Sequence, residues 1–230
     1  MKTNNFVFLF VLFTAILFPS CATYNIDVEG IPKFVKTDFI ELAKIKRISK
    51  FRSGTGHDYS DSFESCRSMK HYFSMDSTMA PTTNYISSVF SPVTGKITKI
   101  DNESGGNGGS QIWISSDQYP AFVFKIFHVN KTNDVVNGKN VAAGEILGTT
   151  NGNDIAVEVN TTKGYKLISY FDVMTDSLFA GYQNRGISSR SDIIISKEAR
   201  DANPVQCDGE SFSNQYATYN QDWVFLKILK

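Results

Sequence analysis

The chain has 230 residues, 41% of them hydrophobic and 20% charged, which is the size and balance of a globular domain with a buried core and excludes a disordered or fibrous protein. Lys and Arg number 23 against 23 Asp and Glu, which excludes the basic footprint of non-specific nucleic-acid binding. Three His and three Cys leave few builders for a metal site, while 16 Gly, 18 Phe and 10 Tyr favour strands and turns.

Residues 1–21 read as an export signal. Lys2 supplies the positive start, and the apolar run from Phe6 to Phe18 is too short to cross a bilayer but has the length of a signal-peptide core. The run ends at Pro19-Ser20-Cys21, which resembles a bacterial lipoprotein signal and implies a lipid on Cys21. Cleavage after Ala22 is the alternative and would release a secreted protein. Either way the chain is expected to be exported, with membrane contact only through a lipid anchor. Once Cys21 is set aside, Cys66 and Cys207 can pair as a disulfide or stay as two buried thiols.

Along the mature chain, Phe34, Phe39, Ile40, Leu42, Ile45 and Ile48 among Lys and Glu predict a short amphipathic helix after the Thr37-Asp38 cap. Residues 51–80, dense in Ser, Asp, Tyr and His, read as an ordered polar loop. Residues 85–100 read as two β-branched runs around a Pro-Gly turn, and 101–110 as a flexible Gly-rich loop. Strands are expected at 111–115, 121–129, 144–150 and 154–160, the last two divided by Asn151-Gly152, a hairpin signal. Glu158 alternates outward and is expected in solvent. Residues 166–185 predict a strand end and then a helix stopped near Gly186. A short strand at 192–196 and a C-terminal edge strand complete the reading.

The order of segments resembles the lysostaphin-type, LytM-like zinc endopeptidases. The segments are His57-Asp58-Tyr59-Ser60-Asp61, then Ser91-Pro92-Val93-Thr94-Gly95-Lys96-Ile97, then Phe127-His128. Val141 to Gly148 and Asp154-Ile155-Ala156-Val157-Glu158-Val159 follow. The resemblance covers roughly 57–160. It implies an antiparallel barrel-sandwich core, one zinc, and cleavage of peptide cross-links in peptidoglycan. A hydrolytic zinc needs about three protein ligands and one open position for water. The resemblance places His57 and Asp61 as metal ligands and His128 as the histidine assisting the bound water. The family's last ligand pair falls on Asp154-Ile155-Ala156, where period-two spacing points both ends to one face. Ala156 cannot ligate, so the third ligand is missing. His71, from an insert between the motifs, can supply the lost nitrogen, or Asp154 an oxygen.

Each of these residues also has a plain structural role open to it. His57 can be held by a carboxylate in a polar loop, Asp61 can accept backbone N–H groups, and His128 can be satisfied by backbone. His71 can be a surface residue, and Asp154 can stabilise a turn. The polar set from His57 to His71 can equally be a paired network that fixes the loop.

The sequence thus predicts a mainly β fold with an antiparallel LytM-like core and short flanking helices. A signal peptide over 1–21 and a helical or extended flank over 22–56 precede a β domain over 57–165, and a helix-strand extension covers 166–230. The expected function is non-catalytic: peptidoglycan binding, scaffolding, or regulation of a cell-wall hydrolase. The alternatives are a zinc endopeptidase with a rebuilt third ligand, and an exported structural protein that binds neither metal nor glycan.

Overall fold

Alternating apolar residues dominate the middle of the chain, and there they form strands. The structure, a computed structural model, describes residues 22–75, 86–103, 108–213 and 221–227. The expected export signal with Cys21, and the centre of the Gly-rich loop, lie outside the described residues.

The strands in chain order are β1 (Ile45–Ser49), β2 (His71–Met75), β3 (Ser87–Phe90), β4 (Gly95–Asn102), β5 (Ser110–Ser116) and β6 (Phe122–Lys131). They continue with β7 (Asn140–Val141), β8 (Ile146–Thr150), β9 (Asn153–Thr161) and β10 (Gly164–Ile168), then β11 (Cys207–Asp208), β12 (Ser211–Phe212) and β13 (Trp223–Phe225). Short helices flank them: α1 (Ile26–Glu29), α2 (Tyr170–Val173), α3 (Asp176–Asn184) and α4 (Lys197–Ala202). The main sheet runs β13-β1-β2-β9-β6-β5-β4-β7, with antiparallel pairing throughout. β2 and β10 both pair with β9, at residues 153–155 and 157–161 respectively, opposite ends of the strand. The fold is mainly antiparallel β, as the alternation predicts.

One face of this sheet carries the main core. Ile155, Val157 and Val159 of β9 alternate inward with Phe122, Phe124 and Ile126 of β6 and Ile112 and Ile114 of β5. Tyr170, Phe171, Phe179, Tyr182, Ile193 and Leu226 belong to the same cluster, so the region from 166 onward shares the β core. Ser169 caps α2 by accepting the Phe171 N–H, and Thr175 caps α3 by accepting the Leu178 N–H. Gly186, at φ 98°, lies just beyond α3 as its position predicts.

Four expectations need correction. The helix over 38–50 is instead a 3-10 turn at Leu42–Lys44 followed by β1. A register shift between Ile45 and Arg47 lets Ile45 and Ile48, three residues apart, both point into the core, and this bulge imitates helical spacing. Asn151-Gly152 does not close a hairpin, because β8 pairs with β3 and β6 while β9 pairs with β2, β6 and β10. The chain turns a corner there and leaves one pairing edge for another. Residues 192–196 hold the end of a 3-10 turn at Arg190–Ile193 and a single bridge from Ile194 to Phe51. The expected polar loop of 51–80 is interrupted by β2 from His71 to Met75, and residues 76–80 lie outside the described residues.

Candidate functional site

Period-two geometry sends Asp154, Ala156 and Glu158 of β9 to the face opposite the main core. On an open sheet that face would be wet. Here all three are buried, because residues 51–70 fold over it. Phe51 and Met69 from that loop pack with Phe127, Leu167 and Ala156 in a second, smaller apolar cluster, joined by Tyr59 and Ile194. The expected solvated Glu158 is therefore corrected: Lys125 reaches it at 2.5 Å, and both are buried.

Beside Ala156 lies a chain of alternating charges. The Lys70 ammonium, 2% exposed, stands 2.5 Å from Asp154 Oδ2. The other carboxylate oxygen, Oδ1, is 3.2 Å from His128 Nε2, and His128 Nδ1 is 2.7 Å from Glu103 Oε2. Lys70 also donates to His57 Nε2 at 3.3 Å, and His57 Nδ1 faces the Asp58 carbonyl at 2.9 Å. A carbonyl only accepts and an ammonium only donates, so His57 donates through Nδ1 and accepts at Nε2. The rings of Phe127, Tyr72 and Tyr59 stand 4.3, 4.8 and 5.0 Å from the ammonium, closing it in π-faces.

The titration of these groups follows from that packing. Burial pulls the Lys70 pKa down, but Asp154 and then Tyr72 outweigh it and hold the pKa above the ordinary lysine value. Burial pushes Asp154 up, yet Lys70 and His128 together keep it below the usual carboxylate range. The hydrogen bond to Asp154 raises His128, against a smaller desolvation effect. Burial raises both phenols, Tyr59 and Tyr72. The row from Glu103 to Lys70 thus alternates carboxylate and basic side chains and ends on His57.

Backbone strain marks the same place. His128 has φ 56°, in the left-handed region that non-glycine residues avoid. It lies where the β5–β6 register shifts, between the pairs Ser110–Val129 and Ile112–Ile126. The bulge turns His128 toward Asp154 and breaks the alternation of β6, since Phe127 lies on the loop side and Val129 in the main core. A residue held in such a conformation costs of order 1–3 kcal/mol, and such costs concentrate at functional sites.

The structure brings together His128 and Asp154, with His57 joined to them through Lys70. It does not bring Asp61 or His71 to them. Asp61 accepts the N–H groups of Phe63 and Glu64 on one oxygen and of Leu167 on the other, its alternative structural role. His71 is neither a surface residue nor beside His57. Strand alternation turns it to the core face, where Nδ1 meets the Ser49 carbonyl and Nε2 meets Ser169 Oγ, both at 2.8 Å. Burial lowers its pKa to about 4, so it is neutral. The strand beside the Asp154–Ile155 pair is β2, with His71 opposite Ile155 and Tyr72 opposite Asp154, not the segment 57–61.

As arranged, these side chains do not form a zinc donor set. Both Asp154 oxygens already face protein cations, and Ala156 sits among apolar side chains. Among the described residues, no group of three or more His, Cys, Asp and Glu side chains is placed to hold a metal ion. Cys66 and Cys207 are joined by a disulfide with Cα atoms 5.7 Å apart.

The sequence reading counted Lys70 only within the polar set from His57 to His71, and it missed Glu103. Lys70 carries a legible sign, standing one residue before a strand and between Met69 and the aromatic Tyr72. Glu103 carries none, because its composition belongs to the loop that follows β4.

No protein-family model matches the chain, and no curated protein matches it. Among solved structures, the chain is similar to a candidate glycyl-glycine endopeptidase LytM from Ruminococcus gnavus, at 15% identity and a TM-score of 0.36. The match covers 45% of this chain and 44% of that one.

Proposed function

We propose that the chain is an exported, non-hydrolytic binding protein of the cell envelope that recognises peptidoglycan, or a hydrolase acting on it, through the sheet face lined by His128 and Glu103. The observation that carries this reading is the Lys70 ammonium, a protein cation seated against Asp154 beside the position of the missing third ligand. It supplies the positive charge there without offering a Lewis acid or a bound water. The motif order from Ser91 to Val159 supports the envelope setting, and the strained His128, a quarter exposed, offers a ligand a ring edge beside the Glu103 carboxylate.

Co-sedimentation with cross-linked peptidoglycan tests the proposal. The protein should pellet with the insoluble material, release no soluble peptide fragments, and pellet less when His128 is changed to Ala. Release of fragments that stops on chelation would favour the zinc endopeptidase instead. A protein that stays in the supernatant would leave the structural reading, in which neither metal nor glycan is bound.

A further inference from the structure

The C-terminal region packs into the core, but residues 194–213 and Asp222 also hold the loop that covers the outer sheet face. The near end of that loop is fixed by buried groups. Phe51 bridges to Ile194, Arg200 Nε donates to the Arg52 carbonyl at 2.7 Å, and Asp222 accepts the Gly54 N–H at 2.8 Å while pairing with Arg200 at 3.0 Å. Arg200 and Asp222 are almost fully buried, so this attachment is firm.

The far end is held differently. His57 bridges to Ser211, and the Asp58 N–H donates to the Glu210 carbonyl at 2.7 Å. Both partners belong to the hairpin of β11 and β12, which is two residues long on each side and, among the described residues, forms a sheet of its own. The hairpin is tied to the loop by the Cys66–Cys207 disulfide. Cys207 is exposed, and Cys66 sits at φ 56°. An isolated two-stranded hairpin is marginal in water, so the covalent bond keeps it beside the loop. The firm end and the covalently held end frame the residues that roof Lys70, namely His57 and Tyr59.

We infer that the β11–β12 hairpin and its disulfide form a redox-releasable strap, and that reduction by a dithiol frees residues 55–58, between the anchored Gly54 and the packed Tyr59, to lift His57 off the Lys70 ammonium and uncover it. A thiolate of the dithiol attacks the exposed Cys207 sulfur, the S–S bond breaks, and Cys66 departs as a thiolate. The second thiol of the donor then displaces Cys207 from the mixed disulfide. The donor is oxidised by two electrons, its two protons pass to the Cys66 and Cys207 thiolates, and the protein is left with two thiols. The hinge is the Arg52–Gly54 stretch, which the Arg200–Asp222 pair keeps in place.

The full chain is compared before and after dithiothreitol, with no ligand present, so the outcome is independent of the envelope reading. Acylation of Lys70 by an acetyl succinimidyl ester, followed by mass spectrometry, should accelerate about tenfold or more on reduction, as expected for a segment released to local opening. Amide exchange over residues 55–58 should rise with it, while β5 and β6 stay protected. Cys207→Ser should show the same open state without reductant; if it does not fold, the reduced wild-type protein carries the test. Unchanged Lys70 reactivity and unchanged exchange in the reduced protein would overturn the inference. So would loss of protection in β5 and β6 at the same time, because the disulfide would then be a staple of the whole fold.

Discussion

Lys70 and His71 are neighbours in the chain, 2% and 0% exposed, and they resolve burial in opposite ways. Lys70 turns to the loop-covered face, finds a carboxylate at 2.5 Å and keeps its charge. His71 turns to the main core, meets a carbonyl, a hydroxyl and the Phe171 ring, and gives its charge up. Neither outcome follows from burial alone. Desolvation acts against both cations, and only a full opposite charge within reach reverses it. The same division holds across β9, whose core face is apolar and whose loop-covered face stores paired charge.

The sharpest way to break this contrast is to remove one partner from the covered face. Lys70→Ala leaves the Asp154 carboxylate buried with His128 alone and should lower stability by about 3–5 kcal/mol, read as a shift in the urea midpoint. A loss under 1 kcal/mol would mean that water reaches the site.

His71 offers the corresponding test on the core face. Its folded pKa of about 4 lies below the ordinary histidine value, so between those two pH values the unfolded chain binds the extra proton. Stability contributed by neutral His71 is therefore complete above about pH 7 and lost as pH falls toward 4, by roughly 3 kcal/mol in all. Asp38 and Asp172, both raised by burial to about 6, act the other way as pH rises through that window. The measurement is accordingly the difference between wild type and His71→Asn across the range. A flat difference would show that His71 titrates normally.

Ala156→His restores the residue type that the LytM-like pattern expects. Because the side chain must enter the cluster of Phe51, Met69, Phe127 and Leu167, it should cost about 1–3 kcal/mol. Elemental analysis should find no stoichiometric zinc gained, and tight zinc binding by this variant would show that the covering loop yields easily. The smallest effect is expected from Ile155→Val on the apolar face, about 0.5–1.5 kcal/mol by thermal unfolding. Were it as large as Lys70→Ala, the two faces would not differ in what holds them.

Much of the strand order was legible because alternation and turn chemistry are local. β4, β5, β6 and β9 fall where their apolar periods place them, and α3 stops before Gly186 as glycine at a helix end requires. The failures share a cause. β1 imitates a helix because its bulge sets two core residues three apart, and β2 was hidden within a polar segment whose partner β9 lies some eighty residues ahead. Asn151-Gly152 has the right turn residues, but its flanking strands found other partners. At the site, the pairing of His128 with Asp154 was half visible, as two residues given roles in one motif order. Lys70, on the other oxygen of Asp154, was visible only as a member of the polar set, and its place against that carboxylate was not.

By itself the sequence determined the class of the fold: alternating β-branched and aromatic residues bury one face, glycines set the turns, and balanced charge leaves the surface without a strong field. Only the tertiary structure decided what the other face of β9 does. Whether Asp154 meets a metal, water or an ammonium depends on a loop brought over it from residues 51–70 and on a C-terminal hairpin bonded to that loop across 141 positions. Such contacts are chosen by the free energy of the whole packed chain, because desolvated charges must find their partners wherever the fold places them.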